Sequence, residues 1–146
     1  MLIYELFDTC CISELVKKEP NPNVVKQFAD LDELSMYLSV ITFGDLRKGI
    51  GKLPDSKKKK ELNRWVKEDL NQRFKNRVLN ITIEEVNKWG EISAAAEKDG
   101  RSLPAIDSLI AATALVHDLS VVTSNTQDME GSGVEVINPW TYETNT

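Results

Sequence analysis

Short apolar runs alternate along this chain with longer stretches whose apolar residues recur every three to four positions. Leu2-Ile3-Tyr4-Glu5-Leu6-Phe7 is one such run and stops at Asp8-Thr9, and Met36-Tyr37-Leu38-Ser39-Val40-Ile41 is another and stops at Thr42. Both read as mostly buried strands. Val78–Ile81, Leu119–Val122 and Val134–Ile137 predict three more. Leu62, Trp65, Val66, Leu70 and Phe74 fall at helical spacing, which turns the lysines around them outward. Thr82-x-x-Glu85 reads as a capping box opening a helix that carries Val86, Trp89 and Ile92 on one face and ends near Gly100. Pro104 suits the first turn of a further helix, through Ile106, Leu109, Ile110 and Thr113 to about His117. Short strands alternating with such helices predict an α/β domain with a largely parallel sheet.

The chain has 146 residues, enough for one core, so residues 1–140 are read as a single domain and 141–146 as a loose tail. The two cysteines, Cys10 and Cys11, are adjacent and make neither a disulfide framework nor a C-x-x-C metal knuckle. The first residues lack a basic n-region, and no apolar run approaches the ~18 residues of a membrane span. A cytoplasmic location, with no membrane as partner, is therefore expected. The net charge of −5 argues at first sight against nucleic acid, but it is unevenly spread. Residues 47–77 hold 12 basic side chains against four acidic ones, and the flanks are strongly acidic.

In open α/β sheets ligands bind beyond the carboxyl ends of the strands. Asp8 and Thr9 follow the first predicted strand, Thr42 and Asp45 the second, and Thr123-Ser124-Asn125-Thr126-Gln127-Asp128 the Leu119–Val122 strand. Asp107 lies in the opening turns of its helix, at the same predicted edge. Carboxylates gathered there repel one another unless a cation neutralises them. A hard divalent ion, Mg²⁺ or Mn²⁺, suits oxygen ligands, keeps positions open for a phosphate and activates a bound water. Thr9, Thr123 and Asn125 are placed to hold metal-bound waters.

Each acid also has a local explanation. Asp8 can cap a turn, Asp45 can answer Thr42 in a capping box, Asp107 can meet a helix dipole, and Asp128 can be a turn residue. His117 reads as a satisfied residue complementing a helix C-terminus, and Cys10 as a packing residue. No Gly-rich phosphate loop is present. Lys57–Lys60 is either a solvated helix face or a contact surface for a phosphate backbone.

Phe7-Asp8-Thr9 with Ile12-Ser13-Glu14-Leu15, Leu38 through Ile50, Leu103 through Ala114, Val122 through Asp128, and Asn138-Pro139-Trp140 together resemble the PIN-domain ribonucleases, specifically toxins of the VapC type. The resemblance runs from Leu2 to Trp140. It implies a PIN-like three-layer sandwich, a central parallel sheet with helices on both faces, and an acidic pocket at the strand ends. It further implies Mg²⁺- or Mn²⁺-dependent endonucleolytic cleavage of RNA, a cognate antitoxin as inhibitor, and a homodimer. By position, Asp8 and Asp107 match the first and third family acids and are the implied direct metal ligands. Asp45 stands where the family usually has Glu, one methylene longer, and Asn125 takes the fourth position. Cys10 replaces the Asn that commonly follows Asp-Thr, and Met129 replaces an aromatic residue.

The expectation is thus a metal-dependent endoribonuclease, the toxin of a toxin–antitoxin pair. Asp8, Asp45 and Asp107 hold the metal, Asn125 or Asp128 completes the catalytic set, and Arg47, Lys48 and Lys57, Lys58, Lys59 and Lys60 grip RNA. Two alternatives stand beside it. A phosphoryl-transfer hydrolase also gathers acids at strand ends, but Asp8 is followed by Thr9-Cys10 rather than completing Asp-x-Asp. A non-catalytic, metal-responsive binding module of the receiver type wants a lysine where this chain has Thr123-Ser124-Asn125.

Overall fold

Five short parallel strands form one sheet in the order β3-β2-β1-β4-β5: β1 (Glu5–Phe7), β2 (Met36–Ser39), β3 (Val78–Leu79), β4 (Ser120–Val122) and β5 (Val136–Ile137). The computed structural model describes residues 4–141. The start of the first predicted strand, Leu2-Ile3, and all of the predicted tail except Thr141 lie outside the described residues.

Side chains alternate across the pleat, and each strand feeds two cores. Phe7, Leu38 and Val122 point to one side, where they meet Ile12 of α1 (Thr9–Leu15) and Val24 and Phe28 of α2 (Pro22–Asp30). The same core takes Leu46 and Ile50 of α3 (Val40–Gly51). Leu6 and Val121 point the other way, onto Ile110, Ala111 and Ala114 of α7 (Ala105–Val116) and Met129 of α8 (Thr126–Glu130). The sheet is parallel, as the strand–helix alternation predicts, and helices cover both faces, as the family resemblance implies.

The second strand is shorter than its apolar run. Ser39 Oγ accepts from the Ile41 amide at 3.1 Å, capping α3, so the chain turns helical at Val40 and places Thr42 inside the helix. The expected strand through Ile41 is corrected accordingly, and Ser39 rather than Thr42 is the cap.

The Lys-rich segment starts as α4 (Lys57–Arg64), widens into a π-helical stretch (Trp65–Leu70) and ends in α5 (Asn71–Arg73). Val66, Leu70 and Phe74 enter the first core, as the spacing predicts. Beyond it, the buried Arg77 guanidinium donates to the carbonyls of Glu33, Met36 and Arg73, which fixes the entrance to β2.

The capping box opens α6 (Ile83–Lys98): Glu85 Oε2 accepts from the Thr82 amide at 2.9 Å and from the Thr82 hydroxyl. Glu85 Oε1 lies 2.9 Å from His117 Nε2, tying the start of α6 to the C-cap of α7. Burial pushes Glu85 up, but the bonds from Thr82 and His117 outweigh it and hold it down to about 2. His117 is thus a satisfied helix-end residue. Gly100, with φ of 75°, ends α6 in a left-handed turn, with the Arg101 amide 2.8 Å from the Ala96 carbonyl.

Candidate active site

The strand order reverses at β1 and β4, and their carboxyl ends meet there. The Asp8 amide donates to the Val122 carbonyl at 3.0 Å, which sets the two strand-to-helix turns side by side. Asp8 is 4% exposed. Its Oδ1 accepts from the Thr9 amide at 2.8 Å, making Asp8 the N-cap of α1, and its Oδ2 accepts from Thr123 Oγ1 at 2.8 Å. Thr123, fully buried, also accepts from the Asn125 amide at 3.0 Å. Thr9 Oγ1 donates to Asp45 Oδ2 at 3.1 Å. One hydrogen-bonded chain thus joins Asn125, Thr123, Asp8, Thr9 and Asp45, residues from the turns that follow β1 and β4 and from α1 and α3.

Asp107, in the first turn of α7, and Asp128, in the first turn of α8, join through their charges. Partial burial pushes Asp107 up to about 6, and the charges of Asp8, Asp128 and Asp45 add to the rise. Asp8 is raised by burial and by Asp45, with the Thr123 and Thr9 bonds pulling it part of the way back. No ion pair among the described residues includes any of the four acids. The cap reading fits Asp8 in addition to its place in the cluster. It fails for Asp45, because α3 is capped by Ser39 and Asp45 lies more than a turn inside the helix.

Unneutralised oxygen donors at one edge suit a hard cation. Among the described residues, no three His, Cys, Asp or Glu side chains are grouped to enclose a metal ion by themselves. The set therefore fits an ion that takes one or two carboxylates and keeps much of its water, as Mg²⁺ does. A shallow hollow of about 370 Å³, lined by Ser124 to Asp128, opens at this edge. The larger hollow, about 600 Å³ along Lys67 to Lys75, contains none of the four acids.

Cys10 is only partly buried, and besides packing on the core it stands at the cleft. Its Sγ lies 3.5 Å from Thr123 Oγ1, 3.5 Å from Ser124 Oγ and 4.0 Å from Asp8 Oδ2. Nothing in the sequence pattern singled out Ser124, since it reads as one more polar residue of the turn.

Arg47 and Lys48 are exposed on α3, two and three residues past Asp45, and Lys57, Lys58 and Lys60 are exposed on α4. Lys59 differs from its neighbours. Its ammonium folds back onto the carbonyls of Leu53 at 3.0 Å and Gly51 at 3.3 Å, with Asp55 at 3.5 Å, and so closes the α3–α4 loop.

A family model described as "PIN domain" matches residues 6–130. The plasmid stability protein StbB of Pseudomonas syringae pv. tomato is 36% identical over 92% of this chain and 97% of its own length. Toxin FitB of Neisseria gonorrhoeae is 35% identical over 92% and 97%, and the VapC ribonuclease Y4jK of Sinorhizobium fredii 31% over 92% and 96%. The crystal structure of FitAcB from Neisseria gonorrhoeae superposes with a TM-score of 0.89 at 34% identity, over 94% of this chain and 99% of that one.

Proposed function

The chain belongs to the PIN-domain family, alongside the VapC-type toxins, and on that premise we propose that it is a metal-dependent endoribonuclease, the toxin of a toxin–antitoxin pair. One observation carries the reading: Asp8 is buried at the β1–β4 junction, held through both carboxylate oxygens, beside three further acids without a cationic partner.

Asp8 and Asp107 would hold Mg²⁺ or Mn²⁺ directly, Asp45 would hold it through a bound water, and Asn125 or Asp128 would complete the set. A divalent ion in that place supplies Lewis acidity and a water of lowered pKa for in-line displacement at phosphorus. The side chains around it do the positioning. Thr123 fixes the direction of Asp8 Oδ2, and Thr9 links the Asp8 turn to Asp45, one methylene shorter than the usual family Glu. Arg47, Lys48, Lys57, Lys58 and Lys60 would meet the RNA backbone, and Lys59 would support that face from behind.

An apolar groove of about 360 Å³ between α1, α3 and α4, lined by Val16, Leu46, Ile50, Leu53, Leu62 and Trp65, reaches Asp45 at one end. It would seat a segment of the cognate antitoxin, whose Arg or Lys could then compete for the acidic edge. A homodimer is the proposed assembly, in a cytoplasmic setting; no helix among the described residues is long and apolar enough to cross a membrane.

The test is RNA cleavage by the isolated chain with and without Mg²⁺, beside Asp8→Asn. Cleavage that needs the metal and is lost in the variant supports the proposal. Equal cleavage by the variant overturns the site, and turnover of a phosphate monoester with RNA left intact overturns the substrate.

A further inference from the structure

The first residue of β1 is a carboxylate that this chemistry does not use. Glu5 is 3% exposed and pairs in register with Met36 of β2 and Ser120 of β4. The pleat puts it on the same face as Phe7, toward α2, where buried Gln27 is its side-chain neighbour. The other charge acting on it is Glu135, just ahead of β5, and no ion pair among the described residues includes Glu5. Here two buried oxygens have no hydrogen-bond partner among the described residues, Glu5 Oε2 and Gln27 Oε1. Both are acceptors while Glu5 is ionised, so neither can satisfy the other, and a buried orphan is costly. A proton on Glu5 removes the conflict, because Oε2 then becomes a donor beside a vacant acceptor.

We propose that Glu5 is carried in the folded protein as the neutral carboxylic acid, donating from Oε2 to Gln27 Oε1 while the Gln27 amide donates to the other carboxyl oxygen. This reciprocal acid–amide pair ties the start of β1 to α2. Burial pushes Glu5 up to about 7, with the Gln27 amide opposing the rise and Glu135 adding to it. An unfolded glutamate loses its proton near 4.5, so between about 4.5 and 7 the folded chain binds one proton more than the unfolded chain. Stability is then greatest in mild acid, falls as pH rises through that window and levels off above it. The inference stands on its own, whether or not the chain cleaves RNA.

Urea unfolding of the full chain at pH 5 and pH 8, without divalent cations, tests it against Glu5→Gln, whose amide can take the donor's place. Wild type should lose on the order of a hundred-fold in folding constant relative to the variant between the two pH values. The same pH dependence in both proteins overturns the proposal. Wild type labelled with carbon-13 at glutamate carboxyls gives a second readout, needed if the variant does not fold. One glutamate titrating near neutrality when folded, and in the ordinary range in urea, supports the pair, whereas no glutamate titrating above the ordinary range in the folded protein overturns it. Asp107 is silent in that experiment.

Discussion

Replacing Thr123 by Val removes one hydroxyl from a fully buried position at nearly constant volume, taking away both its bond to Asp8 and its acceptance from the Asn125 amide, and of these the bond to the carboxylate is the one that varies with pH. Losing a charge-assisted hydrogen bond to the ionised carboxylate costs roughly 1.5–3 kcal/mol and losing one to the protonated acid roughly 0.5–1.5 kcal/mol, so the loss should be larger at pH 8 than at pH 5. Asp8 is already raised by burial, so its contribution to stability is present in acid and declines as pH rises through the folded pKa. Without Thr123 that pKa climbs further, and the deficit of the variant grows with pH. For a domain of this size the larger figure corresponds to roughly 5–10 °C in Tm at pH 8, with a clearly smaller drop at pH 5. Calorimetry of the metal-free protein at both pH values measures it, and Thr123→Ser, which keeps the hydroxyl, should recover much of the loss. Mg²⁺ should narrow the gap by neutralising Asp8, and the alkaline shift of Asp8 should move the acid limb of RNA cleavage upward. Equal Tm losses at pH 5 and pH 8, or no loss at all, would refute the reasoning.

Other outcomes follow from the same geometry. Because Asp107 is raised to about 6, protons compete with a cation there, and Mn²⁺ affinity by calorimetric titration should fall as pH drops from 7.5 to 5 and fall less in Asp107→Asn. Exchanging Lys57, Lys58 and Lys60 for Gln should weaken RNA binding and flatten its salt dependence, by about 0.7 in log–log slope for each phosphate of a single strand that is no longer neutralised. Lys59→Gln should instead lower Tm, since it unties the Leu53 and Gly51 carbonyls. Glu85→Ala should cost about 1 kcal/mol or more by removing the capping box and the bond to His117. Because Glu85 is held low, the deficit should be full at neutral pH, begin to shrink as pH falls below about 4.5 and be gone below about 2, as acid titration by circular dichroism would show.

What could be read from residues alone was whatever local chemistry determines. Asp8, Asp107 and Thr123 were legible because each sits where an apolar run stops or a helix begins. The capping box was legible from its own spacing, but its bond to His117 was not, since the partner lies 32 residues away. The end of β2 differs from the expectation because Ser39-Val40-Ile41 continues a largely apolar run that suits strand or buried helix equally, and the Ser39 cap decides the matter. Lys59 cannot be told from three identical neighbours until the α3 terminus is known to lie beneath it. The π-helical stretch is a change of hydrogen-bond register that leaves no mark in composition.

The junction of β1 with β4 also sets the order in which the molecule comes into being on the ribosome. Asp8 needs Val122 and Thr123, which are 114 and 115 residues further along the chain, before its strand has a neighbour on that side and its carboxylate has a donor. At about 5–20 residues per second, on the order of ten seconds separates the emergence of the first half of the cleft from that of the second. No local segment can assemble the acidic edge early, because its parts come from both ends of the polypeptide. On the proposed function, a nuclease laid out this way would gain its cleft only once β4 has joined β1, and an inhibitor already in solution would have that whole interval to be waiting when it does.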